Sequence, residues 1–244
     1  MTPFDSAAEP YRDTCVSCAV CPARRFSVCG GVAEGAEAQL ENLKTPITVP
    51  AGTLLFSQGD PATHAFSLRG GMVILSLMTE DGRRQGVDIL VDGGYIPAPI
   101  SGTYGVTAHA AVDTALCRYE ASALRALMAQ SPEAQRKALD LAESALETAR
   151  YLLLLVGRHT ALEKTAAFLL LMHRRSIECN GVAGLVHLPK KREDIADFLG
   201  MTPETICRTL ALLRRNGQID MPSASSARIL NLESLKSLAG DPNT

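Results

Sequence analysis

Long apolar runs are missing from this 244-residue chain: residues 151–156, a run of six, lie between Arg150 and Arg158. A membrane-spanning helix needs about 20 such residues, so none is expected. The opening residues, MTPFDSAAEPYRD, carry acids and prolines where a secretory leader needs a basic start and an apolar stretch, which makes the cytoplasm the expected location. Excess charge is lacking too, with 24 Lys+Arg against 26 Asp+Glu and 46% apolar residues. That balance excludes a disordered or collagen-like chain. None of the five His residues forms a metal-spaced pair, and no Ser/His/Asp arrangement can be argued, so the sequence offers no catalytic constellation. Residues 160–244 hold 11 basic and 9 acidic residues against 13 and 17 in 1–159, an asymmetry that permits nucleic-acid binding by the second part without establishing it.

Cysteine is what the chain does have. Four of its seven, Cys15, Cys18, Cys21 and Cys29, fall within fifteen residues, Cys117 follows, and Cys179 and Cys207 stand alone. In a reducing compartment such clustering indicates a metal or cluster more often than a disulfide.

After the cysteines, residues 43–119 carry short apolar runs (47–49, 53–56, 65–68, 72–78, 87–91 and 106–111) cut by Gly, Pro and Asp turn signals, with no helical period across them. This predicts an antiparallel barrel or jelly roll. From Pro132 the pattern changes. Leu139, Ala142, Leu146, Ala149, Leu153 and Val156 recur every three or four residues, a seam that predicts a helix of about 25 residues pairing with a second copy. The first half of the seam is Ala-rich and the second bulky, so the pairing is expected to be marginal and switchable. A second amphipathic helix is expected over 161–177, then a short strand over 185–189.

Residues 190–219, KKREDIADFLGMTPETICRTLALLRRNGQI, have the layout of a helix-turn-helix. Ala196 is small where two helices cross, Gly200 can take a left-handed turn conformation, and Ile206 fills the angle between the helices. Thr202 is a good N-cap and Pro203 suits the first helical position, so the second helix is expected to start at Pro203. Glu204, Thr205, Cys207 and Arg208 lie in its first two turns, which a recognition helix pushes into the major groove of double-stranded DNA. Arg208 can pair with guanine and Glu204 can accept from cytosine. Lys190, Lys191, Arg192, Arg214 and Arg215 are placed for phosphates. Residues 223–232 would form a wing.

A sensor barrel, a long dimer helix and a winged helix-turn-helix in this order resemble the CRP/FNR superfamily of bacterial transcription regulators, over nearly the whole chain. ETICR (204–208) looks like the family's E-x-x-[S/G/C]-R signature, and PAGTLLFSQGD (50–60) is similar to its barrel entry. The fold the resemblance implies is α+β: an N-terminal antiparallel β-barrel, a cyclic-nucleotide-binding-like jelly roll, then the dimerisation helix and a C-terminal winged helix-turn-helix. The corresponding division is a cysteine-rich segment 1–32, a barrel 33–130, a dimer helix 131–158 and a DNA-binding domain 159–244. The family's cyclic-nucleotide branch uses a Gly-Glu and an Arg-Ser/Thr for the cyclic phosphate. Residues 92–111 contain neither Arg nor Glu, so no cyclic nucleotide is expected.

The FNR branch holds an oxygen-labile [4Fe-4S] cluster on three N-terminal cysteines and one from the barrel. Cys18-x2-Cys21-x7-Cys29 resembles the FNR/FnrN-type spacing, and Cys117 stands where the fourth ligand lies. Cys15 is an alternative ligand, because Cys15-x2-Cys18-x2-Cys21 also reads like a ferredoxin triplet. Zinc satisfies four thiolates equally well, and spacing does not separate the two. Cys207 replaces the usual Ser, as in FixK-like regulators, and is a redox candidate on the DNA face. What the resemblance implies is a homodimer that binds TTGAT-like palindromes while its cluster is intact, is inactivated by oxygen or nitric oxide, and touches RNA polymerase through a barrel surface such as 80–84. The rival readings are a zinc-bound or cluster-free regulator sensing redox through Cys207, and an iron-sulfur electron-transfer module.

Overall fold

The computed structural model describes residues 17–33, 35–158, 160–180 and 184–240. Cys15 lies outside them. Three short 3-10 turns come first, Cys18–Val20, Pro22–Phe26 and Val28–Gly31. Helix α1 (Glu37–Leu43) then leads into β1 (Lys44–Val49), followed by β2 (Leu54–Phe56), β3 (His64–Gly70), β4 (Val73–Met78), β5 (Arg84–Leu90), β6 (Tyr95–Ile96), β7 (Thr107–Ala110) and β8 (Thr114–Glu120).

These strands make two antiparallel sheets, in the orders β1-β8-β3-β6 and β2-β7-β4-β5. Among the described residues no ladder joins them into a closed cylinder, so the jelly-roll form of the expectation is the one observed. Phe56, Phe66, Leu68, Val73, Ile96, Tyr104 and Leu116 fill the space between the sheets. Strands β3 and β8 are buried on both faces, because the 3-10 turns and α1 roof the outer one. Cys18, Val28, Cys29, Val32 and Leu40 meet Ala65, Cys117 and Tyr119 there in a second apolar cluster.

Helix α2 (Ala121–Ala129) is capped by Glu120, whose carboxylate accepts from the Ser122 and Ala123 amides. Helix α3 (Pro132–Arg158) runs 27 residues; Ser131 caps it, accepting from Ala134 N at 3.2 Å, with Pro132 in the first turn, where a missing N–H costs nothing. Then come α4 (Ala161–Asn180), β9 (Leu185–His187), α5 (Arg192–Leu199), α6 (Pro203–Arg215), β10 (Ile219–Ser223), β11 (Ser226–Ile229) and α7 (Leu232–Ala239). The wing hairpin of β10 and β11 begins four residues before the expected 223, and β9 adds to it as a third strand. Helix α7 was not anticipated; Asn231 caps it by accepting from Ser234 N at 2.9 Å. A third core joins Met72 and the second sheet's Ile74 and Ile89 to Leu155, Phe168, Phe198, Ile206 and Leu213, so the C-terminal helices pack directly on the strand domain. No helix among the described residues is long and apolar enough to cross a membrane.

Candidate thiol centre and DNA-reading surface

Register places the thiol centre. Cys117 on β8 lies opposite Ser67 on β3 and Pro46 on β1, and Tyr119, two residues on, lies opposite Ala65 and Lys44. Side chains two apart share a face, so Cys117, Tyr119, Ser67 and Lys44 all leave the sheet toward the 3-10 turns. Cys18, Cys21, Cys29 and Cys117 line one cavity there, and all four are free thiols. The space left between them is about 20 Å³, room for a single water. Cys29 Sγ lies 3.4 Å from the Tyr119 hydroxyl and 3.7 Å from Ser67 Oγ. Among the described residues no three Cys, His, Asp or Glu side chains converge on a single ion's position; the thiols ring a cavity.

Neighbours that the sequence did not single out hold the ring. Arg24 staples the Cys29 turn to α1, donating from Nε to Cys29 O at 3.2 Å, from Nη2 to Val32 O at 3.1 Å and from Nη1 to Glu37 Oε1 at 3.0 Å. Glu41 accepts from the Cys18 amide at 2.7 Å and pairs with Lys44 at 2.5 Å; hydrogen bonds from Lys44 and Cys18 bring its carboxyl down to about 2. Burial and then the hydrogen bond to Glu41 push the Cys18 thiol up to about 12, and burial pushes Cys117 up to about 11 against the pull of Arg69. These two are neutral thiols in this conformation, and ligating a metal would release their protons. Burial and the neighbouring thiols hold the Tyr119 phenol far above its ordinary range. Three cations, Arg24, Lys44 and Arg69, line the cavity and no carboxylate does. Four thiols among fixed positive charges fit a thiolate-held group of net negative charge, the chemistry of an iron-sulfur cluster.

The centre abuts the long helix. Ser131 Oγ, the cap of α3, donates to Gly31 O at 3.0 Å. A Cβ at Gly31 would sit 2.6 Å from Ala134 Cα and 2.7 Å from Glu133 O, so only glycine allows this approach. Farther along α3 the expected seam faces solvent, with Leu139 62%, Leu146 50%, Leu153 77% and Val156 38% exposed, and Ala142 and Ala149 exposed between them. Leu152 and Leu155 anchor the opposite side of the helix in the protomer's own core.

The helix-turn-helix follows the expected chemistry. Gly200 ends α5 in the left-handed region (φ 61°), Ala196 and Ile206 are buried at the crossing, and Thr202 Oγ1 accepts from Thr205 N at 3.3 Å before Pro203. Glu204, Cys207 and Arg208 are exposed and Thr205 half-buried on α6. Lys190, Lys191, Arg214 and Arg215 are exposed as well, whereas Arg192 turns to the wing and donates from Nη2 to Ala224 O at 2.6 Å.

Of residues 80–84, the first four form an exposed turn. Arg84 points instead into the domain interface, donating to Asp194 Oδ1 at 2.7 Å and Asp197 Oδ2 at 2.6 Å. His109 Nε2 lies 3.2 Å from the same Asp194 oxygen. Gly86 lets β5 approach α5, since a Cβ there would sit 2.8 Å from Phe198 Cα.

Comparison with known proteins agrees with the fold. Residues 163–238 match a Crp-like helix-turn-helix domain and residues 46–131 a cyclic nucleotide-binding domain. The nitrogen fixation regulation protein FixK of Bradyrhizobium diazoefficiens is 32% identical, covering 90% of this chain and 91% of its own. The transcriptional activator protein FnrL of Cereibacter sphaeroides is 31% identical, with 92% of each chain covered. The solved structure of FixK2 from Bradyrhizobium japonicum superposes with a TM-score of 0.73 at 30% identity, over 80% of this chain and 96% of that one.

Proposed function

The chain belongs to the CRP/FNR family of DNA-binding transcription regulators, and from that premise we propose that it is an FNR-type oxygen-responsive regulator whose dimer reads TTGAT-like palindromes while Cys18, Cys21, Cys29 and Cys117 hold a [4Fe-4S] cluster. The observation that carries the reading is that these four thiols, three from the segment of 3-10 turns and one from a strand, line one cavity among cations. When bound, the cluster supplies a link among four cysteines that oxygen or nitric oxide can sever. Everything downstream belongs to the chain. Cysteines tied together clamp the 3-10 turns to β8, and the clamp reaches α3 through Gly31 and the Ser131 cap. The cavity in this conformation admits only a water-sized sphere, so housing a larger group moves the turns outward from β8, and occupancy and the start of α3 are thereby coupled. Pairing of the Leu139, Leu146 and Leu153 seams sets two α6 helices into successive major grooves about 34 Å apart; with Ala142 and Ala149 alternating with the leucines the seam buries little area, which makes that pairing responsive to the clamp.

The same reading assigns no role to a cyclic nucleotide. In its support, residues 92–111 lack Arg and Glu, and between the sheets Phe56 and Tyr104 stack with ring centroids 3.6 Å apart, the Tyr104 hydroxyl donating to His64 O at 2.5 Å. The exposed turn at 80–83 is the surface we assign to RNA polymerase, and the units 1–32, 33–130, 131–158 and 159–244 are those we assign to cluster, sensor, dimer and DNA. A cytoplasmic location follows from DNA as the target. A second reading is a cluster-free or zinc-bound regulator that senses redox at Cys207, supported by that thiol's exposure beside Arg208. Anaerobic purification with iron, sulfide and zinc quantified separates the two: a brown protein with iron and sulfide near four per chain supports the cluster, and a colourless one supports zinc or thiols.

A further inference from the structure

Strand β3 slips register between Leu68, opposite Leu116, and Gly70, opposite Ala115, leaving Arg69 with no residue across the ladder. Arg69, at this bulge, lines the thiol cavity beside Ser67. Arg69 is only 8% exposed, and its Nε and Nη2 have no hydrogen-bond partner. A guanidinium does not shed its proton, so burial leaves it charged, and an uncompensated buried charge is strongly unfavourable. The other two cations of the thiol cavity are answered: Arg24 pairs with Glu37 and Lys44 with Glu41. Arginines elsewhere that turn into the fold are answered as well, Arg84 by Asp194 and Asp197 and Arg175 by Asp88. Arg69 alone faces Cys18, Cys21, Cys29 and Cys117 across a cavity with no carboxylate in its lining.

The missing anion is one that the thiols themselves become. Four ligating thiolates bring more negative charge than the inorganic core offsets, and sulfur accepts hydrogen bonds from N–H donors. We propose that Arg69 is the counter-charge of the thiol centre: its free Nε and Nη2 donate to the sulfur of the bound cluster and, by stabilising added negative charge, raise its reduction potential. This rests on the reading of the four cysteines as cluster ligands. Arg69 acts on the group from outside the ligand set and is a positioning residue.

The test uses the full chain, purified anaerobically as wild type, Arg69→Lys and Arg69→Gln, with iron and sulfide quantified, folding checked by thermal unfolding, and the cluster titrated with dithionite in an anaerobic redox titration. Dithionite delivers one electron to the cluster, which becomes more negative by one charge. Without the cation, reduction is expected to be about tenfold less favourable in Arg69→Gln, a midpoint about 59 mV lower for a one-electron couple, while Arg69→Lys recovers most of the difference. If Arg69→Gln fails to hold iron and Arg69→Lys holds it, the counter-charge role is supported in a stronger form. Loss of iron in both variants, or the same midpoint shift in both, would show that shape rather than charge matters and overturn the proposal. A wild-type midpoint in Arg69→Gln overturns it alone, leaving the cluster reading intact. Iron-free wild type overturns the cluster reading and this inference with it.

Discussion

Replacing Gly31 by alanine tests whether the thiol centre and the long helix form one mechanical unit. The new methyl would lie 2.6 Å from Ala134 Cα, 2.7 Å from Glu133 O and 2.7 Å from Lys137 Cβ. Two of these are backbone atoms of the first turn of α3, so a rotamer change cannot relieve the overlap; either the Val28–Gly31 turn or the helix start must move by most of an ångström. Overpacking of this kind costs about 1–3 kcal/mol, and losing the Ser131 to Gly31 hydrogen bond adds roughly 0.5–1.5 kcal/mol. For a chain of this size each kcal/mol lowers Tm by roughly 2–4 °C, so a fall of several degrees is expected in thermal unfolding. The same separation should uncouple sensing from DNA binding: Gly31→Ala keeps its iron, yet its anaerobic operator affinity drops toward the air-exposed wild-type value. A variant with wild-type Tm and a wild-type response to air would refute the reasoning, because the contact would then be too soft to carry a signal.

Leu146→Glu places a charge in the exposed seam of α3 and removes one apolar contact per protomer, each worth about 1.5–3 kcal/mol if buried in a dimer; sedimentation should show a shift toward monomer and operator binding should weaken. Arg208→Ala should cost about 1–3 kcal/mol of discrimination at one base pair, whereas Arg214→Ala should weaken binding to every sequence alike and reduce the salt slope by about 1. Asp194 has a carboxyl below its ordinary value: burial would raise it, but hydrogen bonds from His109 and Arg84 outweigh burial. A depressed folded value means stability that is present above the unfolded value near 3.8 and lost as pH falls through the folded one. Wild-type Tm should therefore drop on acidification below about 4 more steeply than that of Asp194→Asn, and equal slopes would show that this interface contributes nothing.

Elements whose signal is local were legible in the sequence. The Thr202 cap, Pro203, Gly200 and the small Ala196 specify the two helices and their turn through neighbouring residues alone, and α6 starts where they predict. The 3.5-residue seam announced α3, because its apolar residues recur on one helix face, and that face is exposed in the protomer. Strand β8 was harder to read, since Thr114–Glu120 mixes Cys117 and Arg118 with apolar residues and is buried on both faces, which removes the alternation that marks a strand. The two-residue β6 is too short for any period. In the candidate site, spacing suggested the cysteines but not their surroundings. Lys44, Tyr119 and Arg69 reach the cavity through the pairing of β1, β8 and β3, a product of long-range register. Likewise Arg84 and Asp194 meet across 110 residues, a distance over which no local pattern operates.

The most direct test of the account is operator binding by wild type and by Cys117→Ala on a TTGAT-type palindrome, measured anaerobically and again after air exposure. The account predicts tight anaerobic binding by wild type that is lost in air, and weak binding by Cys117→Ala in both conditions, because the ligand supplied by β8 ties the turns to the sheet. Anaerobic binding by Cys117→Ala as tight as wild type, or a wild type indifferent to air, would contradict it.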